Sequence, residues 1–253
     1  YIGPRGYDTL AKVGDRAELN VDFGWAATFA LPLLRTMHWL EGIVGNYGIA
    51  IVLLTGIVKL LTFPLNSISF KSMNKLAAMA PEMQQLKEKY ADKQELQLQT
   101  MKLYQKHGVN PMGGCFPMLI QIPIFFGLYS ALSVDVSLRH APFALWIQDL
   151  AAPEKLMLGG FGIPVLVILL VVSMLGQQIL TPSNMDPAQK KVMLFMPFLM
   201  GFLFLGFPAG LTMYYLSNNC ISIAQMQSLR KLKNSWLSFA ITALTSLLCA
   251  GIA

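Results

Sequence analysis

Lys59 sits in the run GIAIVLLTGIVKLLTFPL, residues 48–65, which is otherwise apolar apart from two Thr. A charge inside a helix this apolar is expensive in lipid, so by default it marks a buried or functional site. Thr55 and Thr62 flank Lys59 at spacings of four and three, which puts the three side chains on one helical face. Further polar groups recur in the other apolar segments. Gln121 lies between Pro117 and Pro123, Gln177 and Gln178 close a third segment, and a fifth carries Asn218, Asn219, Ser222, Gln225 and Gln227. Amides in lipid are costly unless paired. A shared interior groove open to water would satisfy Thr55, Lys59, Thr62, Gln121, Gln177, Gln178, Asn218, Asn219, Ser222, Gln225 and Gln227 together, and Lys59 would give it a positive field. Other uses stay open at this point. Lys59 lies six residues before Leu65, about 9 Å along a helix, a distance over which a lysine can snorkel to the interface. Gln121 equally suits an interhelical hydrogen bond, and Asn218 and Asn219 suit a cap or kink.

Bond chemistry finds no template. There is no HExxH, no GxSxG and no P-loop. The apolar segments hold no pair of carboxylates for an intramembrane aspartyl protease, and Ser130 and Ser173 have no His at a matching depth. Cys115, Cys220 and Cys249 have no ligand-like spacing, and His38, His107 and His140 are far apart. The chain therefore reads as no enzyme, with neither metal nor cofactor. No nucleic-acid-binding signature occurs, so no specific DNA binding is expected; a coulombic contact of the basic edge with ribosomal RNA is compatible with the charges.

The elements that must position these residues follow from composition. Of 253 residues, 55% are hydrophobic and 13% charged, against roughly 25% charged in soluble domains. The chain reads as an all-α membrane protein. Five segments are apolar enough to cross, near 47–65, 114–133, 161–180, 192–207 and 209–228. The turn Phe207–Pro208–Ala209–Gly210 predicts that the last two form an adjacent antiparallel hairpin. Loop 66–111, link 181–191 and the tail after the fifth span hold twelve of the nineteen basic residues. Positive charge marks the cytoplasmic side, so the N-terminal residues lie outside. Leu76, Met79, Met83, Leu86 and Tyr90 recur at three and four, with a weaker stripe at Leu96, Thr100, Leu103 and His107. These predict a cytoplasmic helical hairpin over 68–107, its arms near 68–90 and 94–107. Residues 23–45 are apolar but carry Pro32, Arg35 and Glu41, with Trp25 and Trp39 as interface residues. An interfacial amphipathic helix near 29–43 fits better than a span. The uncharged stretch 236–253 is just long enough to cross marginally.

Four stretches together carry a specific resemblance: GNYGIAIVLLTGIVKLLTFPL at 45–65, NPMGGCFPMLIQIPIFFGLYSAL at 110–132, APFALWIQDL at 141–150 and DPAQKKVMLFMPFLMGFLFLGFPAGLTMYYLSNN at 186–219. The chain resembles the YidC/Oxa1/Alb3 family of membrane protein insertases, in its bacterial YidC branch, over about residues 1–233. The resemblance implies a five-helix transmembrane insertase core, residues 46–233, around a hydrophilic groove open to the cytoplasm and closed outside. It implies a groove in which Lys59 takes the place of a usual Arg, with Thr55 one turn earlier and the pair Tyr214 and Tyr215 on the substrate-contacting side. It implies that hairpin 68–107 receives substrates, with Met79, Met83, Leu86, Lys87 and Lys89 as docking residues. Residues 1–22 resemble the end of a periplasmic domain. The tail 236–253 departs from the family, whose tails are basic and polar.

The implied function is insertion and folding of integral membrane proteins through the groove, alone or with a Sec translocon, in the bacterial inner membrane. Nascent membrane proteins, membrane lipids, a Sec translocon, a ribosome and a signal recognition receptor are the implied partners. Two rival functions fit the polar helices alone: a small-solute transporter or channel with Lys59 as an anion site, and a structural assembly subunit. No inverted repeat supports the transporter.

Overall fold

The structure, a computed structural model, describes residues 27–90, 92–110, 116–158, 161–181 and 187–231. The segments 1–22 and 236–253 lie outside the described residues. Helix α1, Ala27–Val44, buries Ala30, Leu34, Met37 and Leu40, a stripe at spacings of three and four. That stripe packs on helices α2, Tyr47–Ala78, and α5, Phe116–Val134. Trp39 and Ile43, on the other side of α1, are exposed.

Helix α2 runs for 32 residues, about 48 Å at 1.5 Å per residue. That is well beyond the roughly 30 Å of a bilayer's hydrocarbon, and α2 is the one described helix long and apolar enough to cross by length and composition. Asn46 starts it. Its Oδ1 accepts from Gly48 N at 2.8 Å and Ile49 N at 3.2 Å, while its Nδ2 donates to Phe143 O at 3.1 Å. The expected break between a span ending near Leu65 and a hairpin arm starting at 68 is absent. Pro64 stands inside the helix on an exposed face, and residues 66–78 contain neither Gly nor Pro to stop it. The break falls instead at Met79, ahead of Pro81. Met79 ends α2 and begins α3, Ala80–Lys89. Asp92 caps α4, Lys93–Lys106, and His107 Nε2 donates to Glu82 Oε2 at 3.1 Å, tying the two arms at their base.

Beyond α5, residues 135–158 and 161–164 form a cap over one end of the bundle. A short antiparallel pair, β1 Leu156–Leu158 and β2 Phe161–Ile163, precedes helix α6, Val165–Leu180. The third apolar segment thus begins as strand rather than helix. Ile163 precedes a proline, which favours extended backbone, and Pro164 then starts the helix. Helix α7, Pro187–Phe204, is followed by α8, Ala209–Lys231. Despite their short link, α7 makes its main packing on α6, not α8, and α6 also packs on α8. The stripe Val192, Phe195, Phe198, Phe202 of α7 is exposed. Gly201 allows the close approach to α6, since a Cβ there would strike Val171.

The apolar core lies at the cap end. Its largest fully buried side chains include Leu34 and Met37 of α1, Ile51 and Leu54 of α2, Leu128 and Leu132 of α5, Leu138 and Leu150 of the cap, Leu170 of α6, and Leu211 and Tyr214 of α8. Toward the hairpin end the same central helices bury polar side chains beside apolar ones such as Phe63, Phe70 and Ile221.

Candidate functional site

Helices α2 and α8 pack together, and each presents polar residues at the same spacing. On α2 these are Thr55, Lys59 and Thr62; on α8 they are Asn218, Ser222 and Gln225. Thr55 and Lys59 are buried and Thr62 is half-buried. Lys59 Nζ donates to Ser222 Oγ at 2.7 Å, and Lys59 is 7% exposed. Ser222 Oγ donates in turn to Asn218 O, 2.7 Å away on its own helix. The flanking threonines do not reach the ammonium. Thr55 Oγ1 donates to Ile51 O and Thr62 Oγ1 to Val58 O, each at 2.8 Å. Asn66 Nδ2 donates to Thr62 Oγ1 at 3.3 Å.

Among the described residues no carboxylate pairs with Lys59. A second property sets this interface apart. Ser67 Oγ of α2, Asn218 Oδ1 and Gln225 Nε2 of α8, and Gln178 Oε1 of α6 are buried with no hydrogen-bond partner among the described residues. An unsatisfied buried polar atom costs about 1–3 kcal/mol. Four at one end of a bundle, beside an uncompensated cation, describe a surface that needs water or a polar guest.

The remaining expected groove residues divide between two other contacts. Asn219 Nδ2 donates to Ser173 Oγ at 3.1 Å, and Ser173 Oγ to Leu170 O at 2.7 Å, so Asn219 joins α8 to α6. Gln121 Nε2 donates to Tyr214 OH at 3.3 Å, joining α5 to α8. Tyr214 is fully buried. Tyr215 is half-buried among the rings of Phe125, Phe204 and Tyr214, at centroid distances of 5.6, 5.3 and 5.5 Å. In the hairpin, Met79 is buried at the base, Met83, Leu86 and Lys87 are half-buried, and Lys89 is exposed with its Nζ 5.6 Å from the Tyr90 ring centroid. The most exposed apolar side chains of the hairpin are on the other arm, Leu98 and Met101, each 55% exposed.

Ser67 and Ser173 were not among the groove residues expected; Gln178, Ser222 and Gln225 were expected only as members of the polar set that a common cavity would satisfy, without assigned roles. Ser222 lies one turn after Asn218, which is a weak signal. Its role depends on a partner 163 residues away.

The cap end is stitched differently. His38 Nε2 donates to the buried Asp135 Oδ2 at 2.7 Å, and Asp135 Oδ1 accepts from Ser137 N at 2.9 Å. Glu154 accepts from Trp146 Nε1 and, at 3.0 Å, from Leu166 N at the start of α6. Ala209 N and Gly210 N at the start of α8 donate to Ala152 O and Leu150 O at 2.8 and 2.9 Å. The cap thereby holds the ends of α1, α2, α6 and α8.

The chain is similar in sequence and in overall fold to known proteins. The 60Kd inner membrane protein family matches residues 39–235. The membrane protein insertase YidC of Pelobacter propionicus is 45% identical over 239 residues, covering 92% of this chain and 44% of that protein. The same-named protein of Geobacter sulfurreducens is 46% identical over 226 residues, covering 89% and 41%. The crystal structure of an active YidC insertase with its first transmembrane domain resolved superposes with a TM-score of 0.65 at 30% identity, covering 86% of this chain and 49% of that one. The chain thus spans less than half the length of the relatives it matches.

Proposed function

Because the chain belongs to the 60Kd inner membrane protein family, we propose that it is the core of a membrane protein insertase and folding chaperone, working through the polar interface of α2 and α8. In this reading α2, α5, α6, α7 and α8 are the five spans of a multi-pass protein of the bacterial inner membrane. The cap faces outward, α1 lies at the outer interface, and the α3–α4 hairpin stands in the cytoplasm. Nothing covalent is made or broken.

The observation that carries the reading is the uncompensated Lys59 with orphaned polar atoms on the helices beside it. A short polar segment entering from the hairpin side loses its water. Lys59, Asn218, Gln225 and Ser67 replace part of that shell, which lowers the barrier to the remaining apolar layer. Gln121, Asn219, Tyr214 and Tyr215 shape the wall rather than supply free polar atoms. The segment's apolar helix then leaves into lipid, driven by apolar transfer. The apolar core at the cap end keeps the groove from becoming an open pore.

Nascent membrane proteins are the substrates of this reading. The lysines of the hairpin, with Met83 and Leu86, are its first contact, and a Sec translocon, a ribosome and a signal recognition receptor are the partners its cytoplasmic side would meet. The test is site-specific crosslinking from position 59 to a stalled nascent membrane protein. Adducts from position 59 and none from exposed Leu61, half a turn away, are expected; equal adducts from both sink the groove.

A further inference from the structure

We propose that Ser222 is a positioning residue, which holds the Lys59 ammonium in place through a neutral acceptor and so leaves its charge available to an acidic group of a passing segment. This rests on the insertase reading above. A hydroxyl has one proton, and the Ser222 proton is directed at Asn218 O, 2.7 Å away. Toward Lys59, Ser222 therefore offers only a lone pair, at 2.7 Å. An ammonium carries three donors and no acceptor, so the contact occupies one N–H and cancels none of the charge.

Both features are needed. The four-carbon stem of a lysine is flexible, and an untethered Lys59 would extend toward the hairpin end, where headgroups and water solvate it. Thr55 and Thr62 do not tether it: their hydroxyls also bond their own helix, at Ile51 O and Val58 O, but the Lys59 ammonium donates to Ser222 and to neither of them. A carboxylate at position 222 would tether it more strongly but would form a closed ion pair, and an acidic segment would have to break that pair to pass. A serine back-bonded to its own helix holds the cation without neutralising it. Asn218 Oδ1, a buried acceptor one turn earlier on α8 with no partner among the described residues, is a second resting place for the ammonium. Loss of Ser222 should therefore weaken the tether rather than abolish it, whereas an acid at 222 should silence the charge.

The test uses the intact protein in proteoliposomes and two single-span substrates that differ only in a translocated tail bearing two Asp or two Asn. Ser222→Thr, which keeps the hydroxyl, is expected to insert both tails within about twofold of the parent. Ser222→Ala is expected to slow the Asp tail by about tenfold, the scale of one charge-assisted hydrogen bond, and the Asn tail by less than about twofold. Ser222→Asp is expected to match Lys59→Gln on the Asp tail and to add no further loss in the Lys59→Gln background. Thermal unfolding midpoints of all variants identify any that fold poorly; if Ser222→Ala is one, Ser222→Asp with and without Lys59→Gln carries the comparison. Equal losses on both tails, or wild-type insertion of the Asp tail by Ser222→Ala and Ser222→Asp while Lys59→Gln is impaired, overturn the proposal and leave the insertase reading standing. If Lys59→Gln inserts both tails normally, the groove reading falls and this proposal with it.

Discussion

At the cap end, α2 and α8 bury Ile51, Leu54, Leu211 and Tyr214; about one to four turns further along, the same helices bury Lys59, Ser67, Asn218, Ser222 and Gln225. The contrast extends to hydrogen bonding. Polar groups of the cap end are paired across elements, as in His38 with Asp135, Asn46 with Phe143 O, and Glu154 with Trp146 and Leu166 N. The four buried orphan atoms belong to residues toward the hairpin end. A stable fold tolerates few unsatisfied polar atoms, so the difference separates a half that holds the bundle together from a half that spends stability on a polar surface. Substitutions in the two halves should therefore differ in what they damage and, at the extreme, in sign.

The largest expected effect is at Lys59. Lys59→Glu replaces attraction by repulsion for an acidic segment, a change of several kcal/mol, so insertion of acidic-tailed substrates should fall by about a hundredfold or more. Lys59→Arg keeps the charge and should stay within about fivefold, its planar fork being a poorer fit to a single serine acceptor. Complementation of insertase-depleted cells reads both. Indistinguishable growth and insertion with the two variants would remove the electrostatic role and, with it, the contrast between the halves. Neither variant should shift thermal unfolding as much as changes at the cap.

Gly48 is the matching test at the cap. A Cβ there would strike the Phe143 ring, and Asn46, two residues earlier, bonds the Phe143 carbonyl. Gly48→Val forces the cap off α2 and should cost about 3 kcal/mol, the upper end for overpacking. The readout is the unfolding midpoint in detergent, and an unchanged midpoint would mean the cap is not structural. A smaller loss is expected for His38→Ala. It leaves the Asp135 carboxylate, side chain 3% exposed, with Ser137 N as its remaining described partner, for about 1.5 kcal/mol. His38→Gln, which can still donate, should recover part of this, and no recovery would place the loss in packing against Tyr47 instead.

How much of this was legible beforehand depended on the range of the interaction. Helical periodicity and the apolar segments are local, and they predicted the helix α1, the second hairpin arm and the common face of Thr55, Lys59 and Thr62, but not that the stretch expected as the first arm is divided at Met79 between α2 and α3. The resemblance carried by residues 45–65, 110–132, 141–150 and 186–219 predicted the family. Element boundaries failed where two local signals competed. The first span was expected to end near Leu65, but Pro64 lies on an exposed face where α2 accommodates it and runs on to Ala78, while Pro164 set the start of α6 after a strand. The expected pairing of α7 with α8 failed because a short link brings two helix ends together without deciding which faces match, and Gly201 fits α7 to Val171 of α6. Ser222 was least legible. Serine is unremarkable in a helix, and only the packing of α8 on α2 brings it to Lys59.

The smallest expected effect is also the one that separates the two halves by sign. Ser67 Oγ is buried with no hydrogen-bond partner among the described residues, in a residue 7% exposed on α2, two turns beyond Lys59. Replacing a paired polar group by alanine loses the bond and strands its partner, but an unpaired hydroxyl has no partner to strand. Ser67→Ala should therefore leave stability unchanged or raise it by up to about 1 kcal/mol, a shift of a few degrees at most in the midpoint. It should at the same time slow insertion, because one of the groups that rehydrates an incoming segment is gone. The slowing should be modest, about twofold, and similar for acidic and neutral tails, since a hydroxyl serves both. Stabilisation together with slower insertion would mark Ser67 as a group kept for the guest at the expense of the fold. A destabilised variant would mean that the hydroxyl is held by a fixed structural water, and the hairpin end would then be built on the same rule as the cap.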